Sequence, residues 1–378
     1  MKNFSYHNPV KIIFGKQTIA QVANEIPAHA KVLVTYGGGS IKKNGVYEQV
    51  KAALSGFSHL EFGGIEPNPR YETCMKAVEL IRREKVTFLL AVGGGSVVDG
   101  TKLIAAAVSF GGNPWDIVAK RAPFTAALPI GVVLTLPATG TEMNGNSVIT
   151  RAETQEKLSF SSPLAYPKFS ILDPETTYSL PPRQVSNGVV DAFVHVAEQY
   201  MNPPASAPLQ DYYAESILKV LIEEGGKALS APLDYNVRAN VMWAATMALN
   251  GLIACGVPQD WSTHEIGHEL TALHGLDHGQ TLAVVMPGVW RTLRAQKFDK
   301  LLQMGERVFG ITGGAPEERV EAAIDATENF FRSLGTKTRL SEYGLNASVI
   351  EPIAQRFAAR GHAFITADMV REVLTQRV

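Results

Sequence analysis

Residues 264 to 274 read HEIGHELTALH. His264 and His268 are four apart, so on a helix they share a face and could both reach one metal ion. Glu265 stands where a zinc peptidase keeps its general base. His274 has the spacing of a third ligand in the longer HExxHxxGxxH pattern, and Met286 follows where that pattern's methionine turn could lie. One position argues against that chemistry. The pattern needs a glycine three residues after its second histidine, to break the helix. Here the residue is Thr271, and β-branched residues resist the positive-φ backbone that glycine accepts.

A second group of chemistry-bearing residues lies in GVVDAFVHVAEQY. Asp191 and His195 are four apart on an otherwise apolar helical stretch, so they project from one face. A buried carboxylate is costly unless it is paired or bound to metal. The two could simply hydrogen-bond each other in the core. Joined by two histidines from HEIGHELTALHGLDH, they would instead make a four-ligand N/O site for a divalent ion. His264 and His278, on either side of the HGLDHG turn, could then converge on the metal, leaving His268 to face a substrate.

A third chemistry is phosphate binding. In AVGGGSVVDGTK a buried strand stops at Gly93-Gly94-Gly95 and a helix starts near Ser96. Residues without Cβ let backbone N–H groups approach an anion, and the helix N-terminus adds partial positive charge. The spacing is not GxGxxG, and a plain turn capped by Ser96 and Asp99 is the alternative. TYGGGSIKKNG ends another strand. No acidic residue lies between Tyr36 and Gly45 to take a ribose 2′-OH. Gly38, Gly39, Ser40 and the nearby Lys42 and Lys43 leave room and charge for a 2′-phosphate, which favours NADP over NAD. An aspartate at Gly39 is expected to reverse that preference.

Elements of two kinds must position these groups. KVLVTYGGG, HLEFGG, FLLAVGGG, GVVLTLP and SILDP read as strands, the first four followed or separated by helical stretches such as YETCMKAVELIRREK and SVVDGTKLIAAAVSF. That rhythm implies βαβ units and a mostly parallel sheet. After LPPRQ the segments have helical period and length, and no convincing strand follows residue 183. The expected division is an α/β domain at 1–180 and an all-helical domain at 181–378. With 35 basic and 36 acidic residues the chain has little net charge, which argues against nucleic-acid or membrane-surface partners. Two cysteines and no apolar leader run point to a reduced, cytoplasmic protein. The longest uncharged stretch, 122–141, is broken by Pro123, Pro129 and Pro137 and reads as strand and loop.

Taken together, FGGIEPNPRYET, AVGGGSVVDGTK, LTLPATGTE, LPPRQVSNGVVDAFVHVAEQY, NVRANVMWAATMALNGLI, GVPQDWSTHEIGHELTALHGLDHGQTLAVVMP and LSEYGL resemble the iron-containing, or group III, alcohol dehydrogenases. The similarity is greatest to their butanol-dehydrogenase and NADPH-dependent aldehyde reductase branch, and it spans essentially the whole chain. It implies a dehydroquinate synthase-like fold: a dinucleotide-binding α/β domain, then a helical metal-binding domain, with the active site in the cleft between them. It implies metal ligands at Asp191, His195, His264 and His278. It implies cofactor contacts at Gly38, Gly39, Ser40, Asn68, Gly94, Gly95, Ser96, Asp99, Thr135, Thr139 and Lys157. The family's usual TTAGTGSE run is shortened here to ATGTE, with Thr141 in place of its serine.

On this reading HEIGH is the second metal segment of a dehydrogenase. His264 binds Zn²⁺ or Fe²⁺, His268 exchanges a proton with the product oxygen, and Glu265 and His274 are structural or border the site. The expected reaction is reversible hydride transfer between NADP(H) and an aldehyde or primary alcohol such as butanol, in a cytoplasmic homodimer. A polyol dehydrogenase or a related chemistry on the same architecture, and an HExxH zinc peptidase, are the rival expectations.

Overall fold

The computed structural model describes residues 1–203, 205–361 and 364–378. In chain order the strands are β1 (Lys11–Phe14), β2 (Lys31–Tyr36), β3 (Ser58–Phe62), β4 (Phe88–Gly94), β5 (Ile130–Leu136), β6 (Asn146–Arg151), β7 (Glu156–Ser161) and β8 (Phe169–Leu172). The helices among them are α1 (Val22–Glu25), α2 (Val46–Ala53), α3 (Tyr71–Glu84), α4 (Gly95–Ala107) and α5 (Trp115–Ala119). After the last strand come α6 (Pro182–Tyr200), α7 (Pro208–Ser230), α8 (Tyr235–Ala248), α9 (Ser262–His274) and α10 (His278–Thr292). The chain closes with α11 (Arg294–Phe309), α12 (Pro316–Ser333), α13 (Ile350–Arg360) and α14 (Ala367–Thr375).

Two compact units result. One comprises His7–Leu180 with Pro232–Thr246, the other Met1–Tyr6, Pro181–Ala231 and Met247–Val378. The linear division expected at residue 180 therefore differs at two short segments. Pro232–Thr246 has helical periodicity like its neighbours, but Met242 packs into the core beneath the sheet, and Thr246 donates to Glu142 at 2.6 Å. Helical period reveals an apolar face but not which core it will meet.

The α/β unit holds a six-stranded sheet in the order β1-β8-β5-β4-β2-β3, with every pairing parallel. β4 is buried along nearly its whole length, as a central strand covered on both faces must be. The strand order reverses between β2 and β4: β2 connects outward to β3, whereas β4 connects to β5 on its other side. In parallel sheets the crevice at the carboxyl ends of such a pair receives ligands. Tyr36 pairs with Val92 there, so the glycines that follow β2 and β4 lie side by side.

Three strands escape the sequence reading. β1 is a four-residue edge strand, too short for its alternation to stand out. β6 and β7 form an antiparallel hairpin whose turn places Gln155 at φ 51°. Their mixed polar composition lacks a continuous apolar run, and tertiary contacts hold them: Thr150 N–H donates to Pro69 O, and Ser147 Oγ to Asp99 O.

The helical unit is built around α10, which packs against α6, α9, α12 and α14. Among the described residues no helix is long and apolar enough to cross a membrane.

Candidate metal centre and cofactor turns

In the helical unit, α6 carries Asp191 and His195 one turn apart, both buried. α9 carries His264 and α10 starts with His278. Two glycines let these helices approach. A Cβ on Gly279 would meet the Asn187 backbone oxygen at 2.6 Å, so the start of α10 lies directly on α6. A Cβ on Gly267 would meet Thr281 Oγ1 at 2.9 Å, where α9 crosses α10. Asp277 caps α10 with a capping box and accepts from Asn187 Nδ2 at 2.9 Å.

Asp191 Oδ1 lies 3.3 Å from His195 Nδ1, 3.8 Å from His264 Nε2 and 3.6 Å from His278 Nε2. The Nε2 atoms of His195 and His264 are 3.1 Å apart. Both Asp191 Oδ1 and His195 Nδ1 are buried without a hydrogen-bond partner. A buried carboxylate oxygen among three imidazoles, satisfied by none, fits a cation at their centre. Ligands at about 2.1 Å in tetrahedral array stand roughly 3.4 Å from one another; the Nε2 atoms of His264 and His278 lie 3.8 and 3.6 Å from Asp191 Oδ1, and those of His195 and His264 lie 3.1 Å apart, around that value. The N/O donor set suits Zn²⁺ or Fe²⁺.

Glu198, which sequence reasoning missed, stands behind this cluster. It lies seven residues after Asp191 in the same apolar helix, and that spacing was the available signal. One of its oxygens accepts from Thr263 N at 2.6 Å, and the other is hydrogen-bonded to His264 Nδ1. This bond turns Nε2 of His264 toward Asp191, as carboxylates behind metal-binding histidines do. Burial pushes His195 down to about 4. Burial acts the same way on His264, but the carboxylates of Glu198 and Asp191 outweigh it and hold that ring at about 9.

His268 is half-buried one turn along α9. Its ring centre is 5.4 Å from that of His278 and 6.2 Å from that of His264. α9 runs unbroken through Thr271 and stops at Gly275, φ 72°. His274 thus stays on the helix and exposed, away from the fold-back a peptidase would need.

In the α/β unit, Gly94 is the N-cap of α4, with no side chain capping it, so the first amides of the helix are left for another acceptor. A Cβ on Gly95 would collide with Thr139 Oγ1 at 2.3 Å. The Ser96–Asp99 capping pair does not form. Ser96 Oγ instead accepts from Asn68 N at 3.2 Å, and Asn68 Oδ1 accepts from Lys157 Nζ at 2.8 Å. The hairpin thus brings Lys157 to the start of α4. Asp99 is buried, accepting from Thr141 Oγ1 at 2.6 Å and from Val148 N at 3.0 Å. Thr135 is buried near the end of β5.

At the other turn, Gly39 sits at φ 90°, and a Cβ on Gly38 or Gly39 would meet nothing within 4 Å. Ser40 is exposed at the start of the short helix that follows. Lys42 is less available than its position suggested. Its Nζ is 3.0 Å from Glu61 Oε2 and lies 4.8 and 4.7 Å over the rings of Tyr36 and Tyr47. Lys43 is exposed.

A parallel sheet with glycine turns at its switch point and a helical unit with a carboxylate–imidazole centre define the class of metal-dependent dinucleotide oxidoreductases. The family model described as iron-containing alcohol dehydrogenase matches residues 9–174, and the model of that family's C-terminal part matches residues 185–373. The chain belongs to the iron-containing alcohol dehydrogenase family. It is 58% identical to the NADPH-dependent aldehyde reductase YqhD of Escherichia coli, over 96% of this chain and 94% of that protein. A crystal structure of YqhD superposes with a TM-score of 0.98 at 55% identity, covering 100% of this chain and 99% of the other. The NADH-dependent butanol dehydrogenase A of Thermotoga maritima superposes with a TM-score of 0.94 at 38% identity, covering 100% and 99%.

Proposed function

We propose that this chain is a metal-dependent, NADP(H)-linked aldehyde reductase and alcohol dehydrogenase. The observation that carries this reading is the unsatisfied Asp191 Oδ1 enclosed by His195, His264 and His278, in a chain 58% identical to an NADPH-dependent aldehyde reductase. When bound, the two cofactors supply the central chemistry: nicotinamide the hydride, and a divalent cation a Lewis acid for the substrate oxygen.

The chain's own residues do the rest. The four ligands hold the cation, and Glu198 keeps the His264 ring turned toward it. The N-terminus of α4, at Gly94, Gly95 and Ser96, receives the pyrophosphate. Asn68, Thr135, Thr139 and Lys157 border the nicotinamide half, and the buried Asp99 holds Thr141 and Val148 beside them. Gly38, Gly39 and Ser40 leave space for a 2′-phosphate, with Lys43 as the nearby cation. Reduction of an aldehyde consumes the hydride and one proton. His268, beside the metal ligands but turned to a less buried face, delivers that proton directly or through water.

The family resemblance supports a cytoplasmic homodimer, which sedimentation of the purified protein tests. The functional test is a panel of aldehydes, butanal included, assayed with NADPH and with NADH after reconstitution with Zn²⁺ or Fe²⁺. Higher kcat/KM with NADPH on aldehydes is expected. Higher kcat/KM with NADH would overturn the cofactor assignment, and absence of aldehyde-dependent NAD(P)H oxidation would overturn the reading as a whole.

A further inference from the structure

Lys102 is fully buried in the middle of α4, and nothing in the hydride transfer uses it. A lysine without exposure needs a partner for each N–H. Here the partners come from one loop. Nζ lies 2.7 Å from both Thr141 O and Thr141 Oγ1, 2.8 Å from Asn144 O and from Asn146 O, and 3.3 Å from Asn144 Oδ1. Five oxygens share three N–H donors, an arrangement closer to the coordination of an ion than to a single salt bridge. The Thr141 hydroxyl gives its own proton to Asp99, so its oxygen is free to accept from Lys102.

The caged loop is the one that rests on the phosphate turn. Thr141 N donates to Thr139 Oγ1 at 3.4 Å, and that hydroxyl occupies the space a Cβ on Gly95 would need. Asn144 Nδ2 closes the loop onto Gly140 O at 2.9 Å, where the backbone is at φ 61°. We propose that the Lys102 ammonium is a tethered structural cation around which residues 139–146 fold, and that it thereby sets the affinity of the α4 turn for the dinucleotide. Lys102 is a positioning residue: it acts through Thr139 and Gly95. The inference rests on the dinucleotide reading given above.

The test is Lys102→Ala, which removes the equivalent of n-propylammonium from the cage. The dissociation constant for NADPH should rise roughly tenfold or more, the scale of hydrogen bonds to a charged group. Metal content should be unchanged, and kcat at saturating NADPH should stay within about twofold, so the loss falls on KM. Incubation with n-propylammonium should restore affinity, whereas n-propanol, which carries no charge, should not. Unchanged NADPH affinity in the folded variant, or equal rescue by propanol, would overturn the proposal. If Lys102→Ala does not fold, Lys102→Met keeps the buried chain length, removes only the ammonium and should raise the NADPH dissociation constant in the same way; unchanged affinity there overturns the proposal equally. A wild-type protein that binds neither NADPH nor NADH would overturn the functional reading itself, whereas normal wild-type binding with an unaffected variant sinks only the role of Lys102.

Discussion

His264 and His268 share a helix face and differ in what surrounds them. His264 is clamped by Glu198 and points at Asp191; His268 lies one turn further on, against the His278 ring. His268→Ala should therefore keep its metal and lose turnover by roughly 10²-fold or more, with an altered pH profile of kcat. His264→Ala should lose metal and activity together. Equal metal loss in the two variants would make His268 a ligand. Glu198→Gln should weaken metal affinity by roughly 10- to 100-fold, as loss of a carboxylate behind a ligand does. Competition against a chromogenic chelator measures this without any assay of turnover, and wild-type affinity would deny Glu198 its orienting role. Cofactor choice is best probed at Gly38. Gly39 is at φ 90°, where an aspartate adds backbone strain to charge repulsion. Gly38 has no positive φ and open space around it. Gly38→Asp should lower kcat/KM with NADPH more than with NADH; an unchanged ratio would place the 2′-phosphate elsewhere.

Helix contacts, as much as ligand chemistry, decide whether four donors meet. His278 is the first residue of α10, and Gly279 beside it presses on the Asn187 backbone of α6. Gly279→Ala puts a methyl where backbone stands 2.6 Å away, so α10 must retreat from α6. Metal affinity should fall even though no ligand has changed, while far-ultraviolet circular dichroism should remain helical. A Gly279→Ala protein with native metal affinity would show that His278 does not depend on this contact. The same logic explains why the hairpin of β6 and β7 matters. Lys157 reaches Asn68 because that hairpin, held by Pro69 and Asp99, folds across α4.

For the molecule as a whole, the segment just after α14 is a fastening point. Arg377 is fully buried. Its guanidinium donates to Glu328 at 2.7 and 3.1 Å, to Thr338 O at 2.6 Å and to Val284 O at 2.8 Å, closing α14 onto α10 and α12. Removing Arg377 and Val378 should cost about 3 kcal/mol of stability, the low end for breaking a buried ion pair. The low end applies because Arg291 and Arg339 remain 3.6 and 3.7 Å from Glu328. Denaturant unfolding measures it, and a loss under about 1 kcal/mol would assign little of that stability to the pair. Burial alone would raise the Glu328 carboxyl, but Arg377 outweighs it and holds the group at about 2. A carboxyl lowered on folding adds stability that is full above its unfolded pKa, near 4.5, and is lost as pH falls toward 2. The protein with Arg377 in place should lose stability across that window more steeply than the one without it; equal acid profiles would contradict the pairing.

Local rules reach far into this protein, and their limits are physical. The buried runs at β2, β4 and β5 and the glycines after β2 and β4 are legible because period, length and missing side chains act within a few residues. The Asp191–His195 pair is legible because helical spacing alone puts both on one face. Thr271 argued against a peptidase on backbone conformation alone, and α9 does run through it. Spacing could not show that Glu198 backs His264, because α6 and α9 meet only in the packed helices. Nor could it show that Lys102 lies inside a ring of oxygens: a lysine on a helix reads as solvated until the loop around it folds. Pro232–Thr246 and Lys42 teach the same lesson. The first joins the sheet's core, and the second spends its charge on Glu61, because a periodic face or a lone cation leaves its partner unspecified. Sequence determined which groups could do the chemistry; only tertiary structure decided which of them meet, since contacts between residues far apart in the chain depend on how whole elements pack.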